Sequence, residues 1–219
     1  HSAGEYAALV ASGILSIGDA IRLTQARGVA TAAAAVRTPG AMAAVIGLED
    51  IQVETLCDGI DGVWVANYNC PGQVVVSGEH EAVDAFIAAA TEAGARRALK
   101  LAVSGAFHSP LTAAAADDLR PALEATTFQA PTSTFFSTVT CQGEDESAIV
   151  KILTAQLGAP VRFTQAVQSL ASQGVTEFIE VGPGGVLAGL IRRIDRSCTT
   201  VTIGDPEGLA KAQEVLPHG

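Results

Sequence analysis

The 219-residue sequence predicts an α/β protein built on a parallel sheet with helices on both faces, and three observations carry that expectation. Strand-like apolar runs alternate with helix-length segments, as in TEFIEVG followed by VLAGLIRRI. Aromatic residues make up only 5% while alanine and glycine abound, which favours close helix-on-sheet packing over an aromatic-rich all-β core. A hydrophobic content of 48% over this length suits one large domain, or one domain carrying a smaller insert.

Taken in order, EYAALVASG reads as a helix ended by Gly13, and SIGDAIRLTQARGVATAAAAV as a second helix capped by Ser16. AMAAVIG is strand-like, EDIQVETLCDGI helical, and VWVANYN a strand. QVVVSG follows the C-P-G-Q turn as another strand, HEAVDAFIAAATEAG is a helix ended by Gly94, and RRALKLAVS is a strand. The order β-α-β-β-α-β is the split βαβ arrangement of a ferredoxin-like unit, placed at residues 38–103 and leaving 1–37 and 104–219 as the other domain. Beyond it, HSPLTAAAADDLRPALEA is expected as helix, PTSTFFSTVT as strand, and ESAIVKILTAQL and RFTQAVQSLASQG as helices. TEFIEVG is a buried strand, P-G-G a turn, VLAGLIRRI a closing helix, and the tail after Gly204 is expected to be ragged.

A net charge of −10 argues against a nucleic-acid binder, which needs clustered Lys and Arg to neutralise phosphates. Cys57, Cys70, Cys141 and Cys198 are scattered with neither C-x-x-C spacing nor paired histidines, so they read as isolated thiols of a reducing, cytoplasmic compartment, with no metal site. No apolar run reaches the length of a membrane span.

The chemistry is expected at the front of the chain. His1-Ser2-Ala3-Gly4 reads H-S-x-G, the G-x-S-x-G nucleophile elbow without its first glycine. In that reading Ser2 is a nucleophile, Gly4 lets the helix pack closely behind it, and the helix N-terminus supplies N–H groups and a positive dipole end. The same four residues also fit an ordinary serine cap. The base must come from four histidines. His1 adjoins the serine and points away from it at a sharp turn; His80 reads as a solvated helix start and His218 as a tail residue. His108, in VSGAFHSPL, remains by elimination.

HSAGEYAALVASG, TQARG, NYNCPGQVVVSG, GAFHSPL and EVGPGGVLAGLIRRI, in this order and at these separations, closely resemble the malonyl-CoA:acyl carrier protein transacylases of fatty-acid synthesis, from His1 to about Ile194. The acyltransferase domains of polyketide synthases share the pattern. The resemblance implies an α/β-hydrolase-like core with an inserted ferredoxin-like subdomain and a ping-pong acyl transfer. Ser2 then matches the nucleophile, His108 the base, and Gln156 the residue whose backbone carbonyl orients that base. Arg27 matches the arginine that holds the malonyl carboxylate, with Arg22 as its nearest rival, and Ala3 supplies a backbone N–H to the oxyanion. Asn69 and Gln73 are expected to line the acyl or pantetheine groove. Phe107, directly before the base, resembles the malonyl-selective form, its bulk crowding an α-methyl branch. The VGPGG turn is expected to close a strand-to-helix corner; it lacks the Lys-[ST] ending of a phosphate loop.

The implied partners are malonyl-CoA and acyl carrier protein, with no cofactor and a monomeric protein. Arg96, Arg97 and Lys100, or Arg192, Arg193 and Arg196, are the basic clusters available to an acidic carrier protein. The family carries a glycine- and glutamine-rich loop and a strand ahead of its elbow, and these are absent here, so the sequence is expected to be the carboxy-terminal part of an acyltransferase. The absence of flanking linkers favours a freestanding enzyme over a synthase module. An esterase of α/β-hydrolase type would also use a serine elbow, with its histidine late in the chain. A non-catalytic carrier-binding scaffold is disfavoured by the presence of both Ser2 and His108.

Overall fold

Helix α1 (Gly4–Ala11) starts two residues after Ser2 and buries Glu5, Tyr6 and Leu9. The computed structural model describes residues 1–215, and His218 lies outside the described residues. Helix α2 (Ile17–Arg37) begins where expected: the Ser16 hydroxyl accepts the Asp19 N–H at 3.0 Å and caps the first turn. Its 21 residues use alanine on the inward face, where Ala20, Leu23, Ala30 and Ala34 pack with α5 (Ala115–Glu124) and α6 (Ile149–Gln156) through Leu119, Leu123 and Leu153.

The middle segment follows the expected order. Strand β1 (Ala41–Ile46) leads to α3 (Asp50–Asp58), β2 (Val63–Cys70), β3 (Gln73–Gly78), α4 (His80–Glu92) and β4 (Arg97–Lys100). The strands form one antiparallel sheet in the order β2-β3-β1-β4. Val45, Val53, Val76, Val83 and Phe86 fill the space between the sheet and its two helices. β4 is shorter than RRALKLAVS suggested, because the chain leaves the sheet after Lys100 to cross to the His108 turn. That crossing is tight: a Cβ on Gly105 would stand 2.6 Å from the Ala35 Cβ of α2, and one on Gly40 would stand 2.5 Å from the Gly78 carbonyl oxygen.

The remaining segments hold the larger differences. HSPLTAAAADDLRPALEA is a 3₁₀ turn at Pro110–Thr112 followed by α5, since Pro110 favours a tight start and cannot continue a helix from Ser109. PTSTFFSTVT supplies only β5 (Phe135–Phe136), paired with β6 (Gly143–Glu144); residues 138–141 turn instead, around Cys141 at φ +57°. Helix α7 (Phe163–Ser172) leads to β7 (Glu177–Val181) and α8 (Val186–Ile194), joined by VGPGG with Gly182 and Gly184 at positive φ. After α8 the chain adds β8 (Thr199–Ile203), a strand not expected from the sequence, and the tail expected to be ragged after Gly204 forms α9 (Pro206–Val215). A wide parallel sheet was the expectation from the alternation. Among the described residues, β7 with β8 is the parallel pair of named strands, and one further parallel bridge links Asn67 to Val161. The helices α5, α6 and α7 follow one another with no long strand between them, which removes the crossovers a parallel sheet requires.

Candidate active site

Three non-glycine residues among those described have φ in the left-handed region, and two of them are Ser2 at +40° and His108 at +60°. Such positions cost roughly 1–3 kcal/mol each and persist only where the surroundings enforce them. Here they turn the two side chains toward each other, 106 positions apart: Ser2 Oγ lies 2.8 Å from His108 Nε2. The other ring nitrogen, Nδ1, lies 2.9 Å from the Gln156 carbonyl oxygen and 3.2 Å from that of Ala159. Carbonyls can only accept, so Nδ1 carries the proton and Nε2 is left as the acceptor for the serine hydroxyl. Burial lowers the His108 pKa below its ordinary value, the Arg27 charge lowers it further, and the two carbonyl bonds oppose that shift. The imidazole is therefore neutral near pH 7.

Arg27 reaches the same oxygen from α2, its Nη2 donating to Ser2 Oγ at 2.8 Å. Its Nε is buried with no partner among the described residues. Burial also depresses its pKa, with nearby Tyr6 and Glu5 opposing, but a guanidinium stays charged at neutral pH. A half-buried cation with an unused N–H beside a nucleophile is equipped to receive an anionic group. The rival Arg22 is turned outward and pairs with Asp19. The Tyr6 hydroxyl is buried and has no partner among the described residues, its pKa pushed up to about 12 chiefly by burial.

The second wall comes from β2. Bulges between Val65 and Asn67 and between Tyr68 and Cys70 break the strand's alternation there. Asn69 Oδ1 then meets His1 Nε2 at 2.9 Å, and the His1 ring rests 5.5 Å from that of Phe163. His1 is thereby held away from the Ser2 hydroxyl, as expected. A cavity of about 440 Å³ opens beside it, lined by His1, Asn67, Asn69, Gln73 and Leu190 among others. Phe107 packs against Met42, Ala66 and Val75 of the four-stranded sheet, at the seam between that sheet and the His108 turn. Ala3 follows the serine directly and is exposed, before the first turn of α1. The close packing expected at Gly4 is absent: a Cβ there would meet nothing within 4 Å, because Gly4 faces the cavity.

One group bonded to Gln156 at the site, Glu5, was not singled out from the sequence. Glu5 is 2% exposed, and its carboxylate accepts from the Gln156 amide and from Thr138. The available signal was a charged residue directly before the buried Tyr6 on the inward face of α1. His80 is exposed at the start of α4, far from this network in sequence and bonding. No cluster of three or more His, Cys, Asp or Glu able to hold a metal occurs among the described residues, and all four cysteines are free thiols.

A family model described as the acyl transferase domain matches residues 1–209. The chain belongs to the acyl transferase domain family. Relatives of this domain include the malonyl CoA-acyl carrier protein transacylases of Bacillus subtilis, 40% identical over 99% of this chain and 70% of that one, and of Escherichia coli strain K12, 42% identical over 98% and 71%. Among solved acyl transferases, the malonyl-CoA:acyl carrier protein transacylase of Xanthomonas oryzae superposes with a TM-score of 0.95 at 43% identity, covering 100% of this chain and 71% of its own. A malonyl-transacylase solved with a type II polyketide synthase acyl carrier protein superposes at 0.94 with 39% identity, covering 98% and 71%.

Proposed function

We propose that this acyl transferase moves a malonyl group from malonyl-CoA to the phosphopantetheine thiol of acyl carrier protein, in fatty-acid biosynthesis, through an ester on Ser2. The observation that carries the reading is the Ser2 oxygen held at 2.8 Å from both a neutral His108 Nε2 and the Arg27 guanidinium.

The steps follow from that arrangement. The Ser2 oxygen attacks the thioester carbon while its proton passes to His108 Nε2. The resulting oxyanion is met by the Ala3 N–H, at the positive end of α1. The carbon–sulfur bond breaks, and the coenzyme A sulfur takes the proton from His108. In the second half the carrier thiol gives its proton to the same nitrogen, attacks the ester and releases the serine oxygen, which recovers the proton. Gln156 acts through its carbonyl, which keeps the imidazole in one tautomer. Arg27 pairs with the free malonyl carboxylate, so an acyl group without one leaves a half-buried cation unmatched.

Asn69 and Gln73 line the cavity toward the pantetheine arm, and Phe107 limits branching at the α-carbon. We read residues 38–103, with strand order β2-β3-β1-β4 and two helices on the sheet, as a ferredoxin-like insert, and 1–37 with the described part of 104–219 as the α/β-hydrolase-like part. Arg193 donates to Gln73 at the cavity edge, which favours the Arg192, Arg193 and Arg196 cluster over Arg96, Arg97 and Lys100 as the carrier-protein contact. The chemistry uses no cofactor, coenzyme A is a substrate, and every catalytic group comes from one chain, so a cytoplasmic monomer suffices. No helix among the described residues is long and apolar enough to cross a membrane.

The polyketide version keeps the chemistry and changes the carrier; the relative solved with a polyketide carrier protein favours it. Comparing kcat/KM for fatty-acid and polyketide carrier proteins separates the two. Loss of malonyl transfer in both Ser2→Ala and His108→Ala supports acyl transfer at this pair. Retained turnover in either, or hydrolysis of neutral esters indifferent to Arg27→Ala, refutes it.

A further inference from the structure

The Gln156 carbonyl that holds His108 is the last of its helix. Carbonyls at a helix C-terminus have no intrahelical donor, so no helical hydrogen bond holds this one in place. The Gln156 side chain, wholly buried, does have fixed partners: Nε2 donates to Glu5 Oε2 at 2.9 Å and to the Ser2 carbonyl oxygen at 3.2 Å, while Oε1 has no partner among the described residues. Two acceptors around one end settle the amide's orientation. Glu5 is anchored in turn, its Oε1 accepting the Thr138 N–H at 2.7 Å and the Thr138 hydroxyl. A buried carboxylate is costly unless its lone pairs are used, and here three donors from two other segments of chain use them.

We infer that Glu5 is a positioning residue: through the Gln156 side chain it aims the carbonyl that keeps His108 in its Nδ1–H tautomer, and through the same amide it pins the turn that carries Ser2. This rests on the reading of His108 as the base. Glu5 touches neither the serine hydroxyl nor the imidazole, so its effect passes wholly through Gln156. Replacing it with Gln keeps the shape and puts an NH₂ where an acceptor stood, facing either the Gln156 amide or Thr138. Where the NH₂ faces Gln156, that amide can accept from it only by turning over, which releases the Ser2 carbonyl; where it faces Thr138, the Thr138 N–H loses its acceptor and the anchor of the network loosens.

The test combines ¹⁵N NMR of the His108 imidazole with steady-state kinetics on the wild type, Glu5→Gln, Thr138→Val and Leu9→Ala. Leu9 is fully buried on the same helix outside the network and reports loss of stability alone. In the wild type the Nδ1–H tautomer dominates. In Glu5→Gln the Nε2–H tautomer becomes populated and kcat falls about 10- to 100-fold while KM for malonyl-CoA stays within about twofold, as for a misplaced catalytic group. Thr138→Val moves both readouts the same way by less, and stands in if Glu5→Gln does not fold. Leu9→Ala moves neither per folded molecule. A wild-type tautomer and kcat in both network variants, or changes matched by Leu9→Ala, overturn the inference. If the wild type transfers no malonyl group the functional reading fails separately, and the tautomer shift still decides the positioning role.

Discussion

Arg27 and Ser2 meet at 2.8 Å across 25 positions of sequence, with a guanidinium N–H resting on the hydroxyl oxygen that also faces His108. The arginine thus occupies the place next to the nucleophile. An arriving malonyl carboxylate offers it a bidentate partner and draws the guanidinium off the oxygen lone pair that attacks, while the hydroxyl proton stays directed at His108.

Arg27→Ala therefore lowers kcat/KM for malonyl-CoA by about 10- to 100-fold, the scale of a hydrogen bond to a charged group. The same variant leaves acetyl-CoA turnover unchanged or raised. Parallel kinetics with the two thioesters check this; an equal loss for both would assign Arg27 to the serine instead of the substrate.

The acid limb of the pH profile is set by His108. Burial holds its folded pKa below the ordinary 6.5, so kcat/KM declines with an inflection below 6.5. Between that lowered value and 6.5 the unfolded chain binds more protons than the native one, so the group's contribution to stability is complete above 6.5 and lost as pH falls through the folded pKa. Denaturant midpoints from pH 5 to 8 for the wild type and His108→Gln measure it: the variant has a flatter acid side. An inflection at or above 6.5 would mean an imidazole that is solvated.

The sequence exposes the local parts of this site and hides the parts that depend on other segments. H-S-x-G is read directly, because the elbow needs its serine and glycine within four residues. His108 follows by elimination among four histidines, and the structure confirms that it faces Ser2. Gln156 comes only from the family resemblance, since a working backbone carbonyl leaves no mark on residue type. Glu5 looks like the common first-turn acid that complements a helix dipole, and only tertiary packing reveals it as buried. The β-α-β-β-α-β order is legible because Val-rich strands and Gly-ended helices mark it. β5 is not, because the run PTSTFFSTVT has strand-forming residues but pairs over only two positions before the Cys141 turn. β8 and α9 are not legible because TTVTI is interrupted by threonines and PEGLAKAQEV carries few large apolar residues.

Phe107 stands at the seam between the antiparallel sheet and the base. Phe107→Ser removes most of that bulk and raises the ratio of methylmalonyl to malonyl kcat/KM about tenfold or more, within the range that one or two methylenes confer. Competition between the two thioesters reads the ratio directly. An unchanged ratio would place the acyl pocket elsewhere.

Gly105 passes Ala35 so closely that an added methyl group has no room. Gly105→Ala forces α2 and the His108 turn apart, costing about 1–3 kcal/mol of stability by overpacking. Because α2 also carries Arg27, turnover falls with it. Thermal unfolding and kinetics of this variant beside Gly189→Ala, on α8 where an added Cβ meets nothing within 4 Å, check the coupling; equal effects in the two would contradict it.

The central claim is that Ser2 carries the acyl group. Intact-protein mass spectrometry after brief incubation with malonyl-CoA tests it most directly. The account predicts one malonyl adduct, mapped to Ser2, absent from Ser2→Ala, and discharged by holo acyl carrier protein. An unmodified wild-type protein, or an adduct that persists in Ser2→Ala, would contradict it.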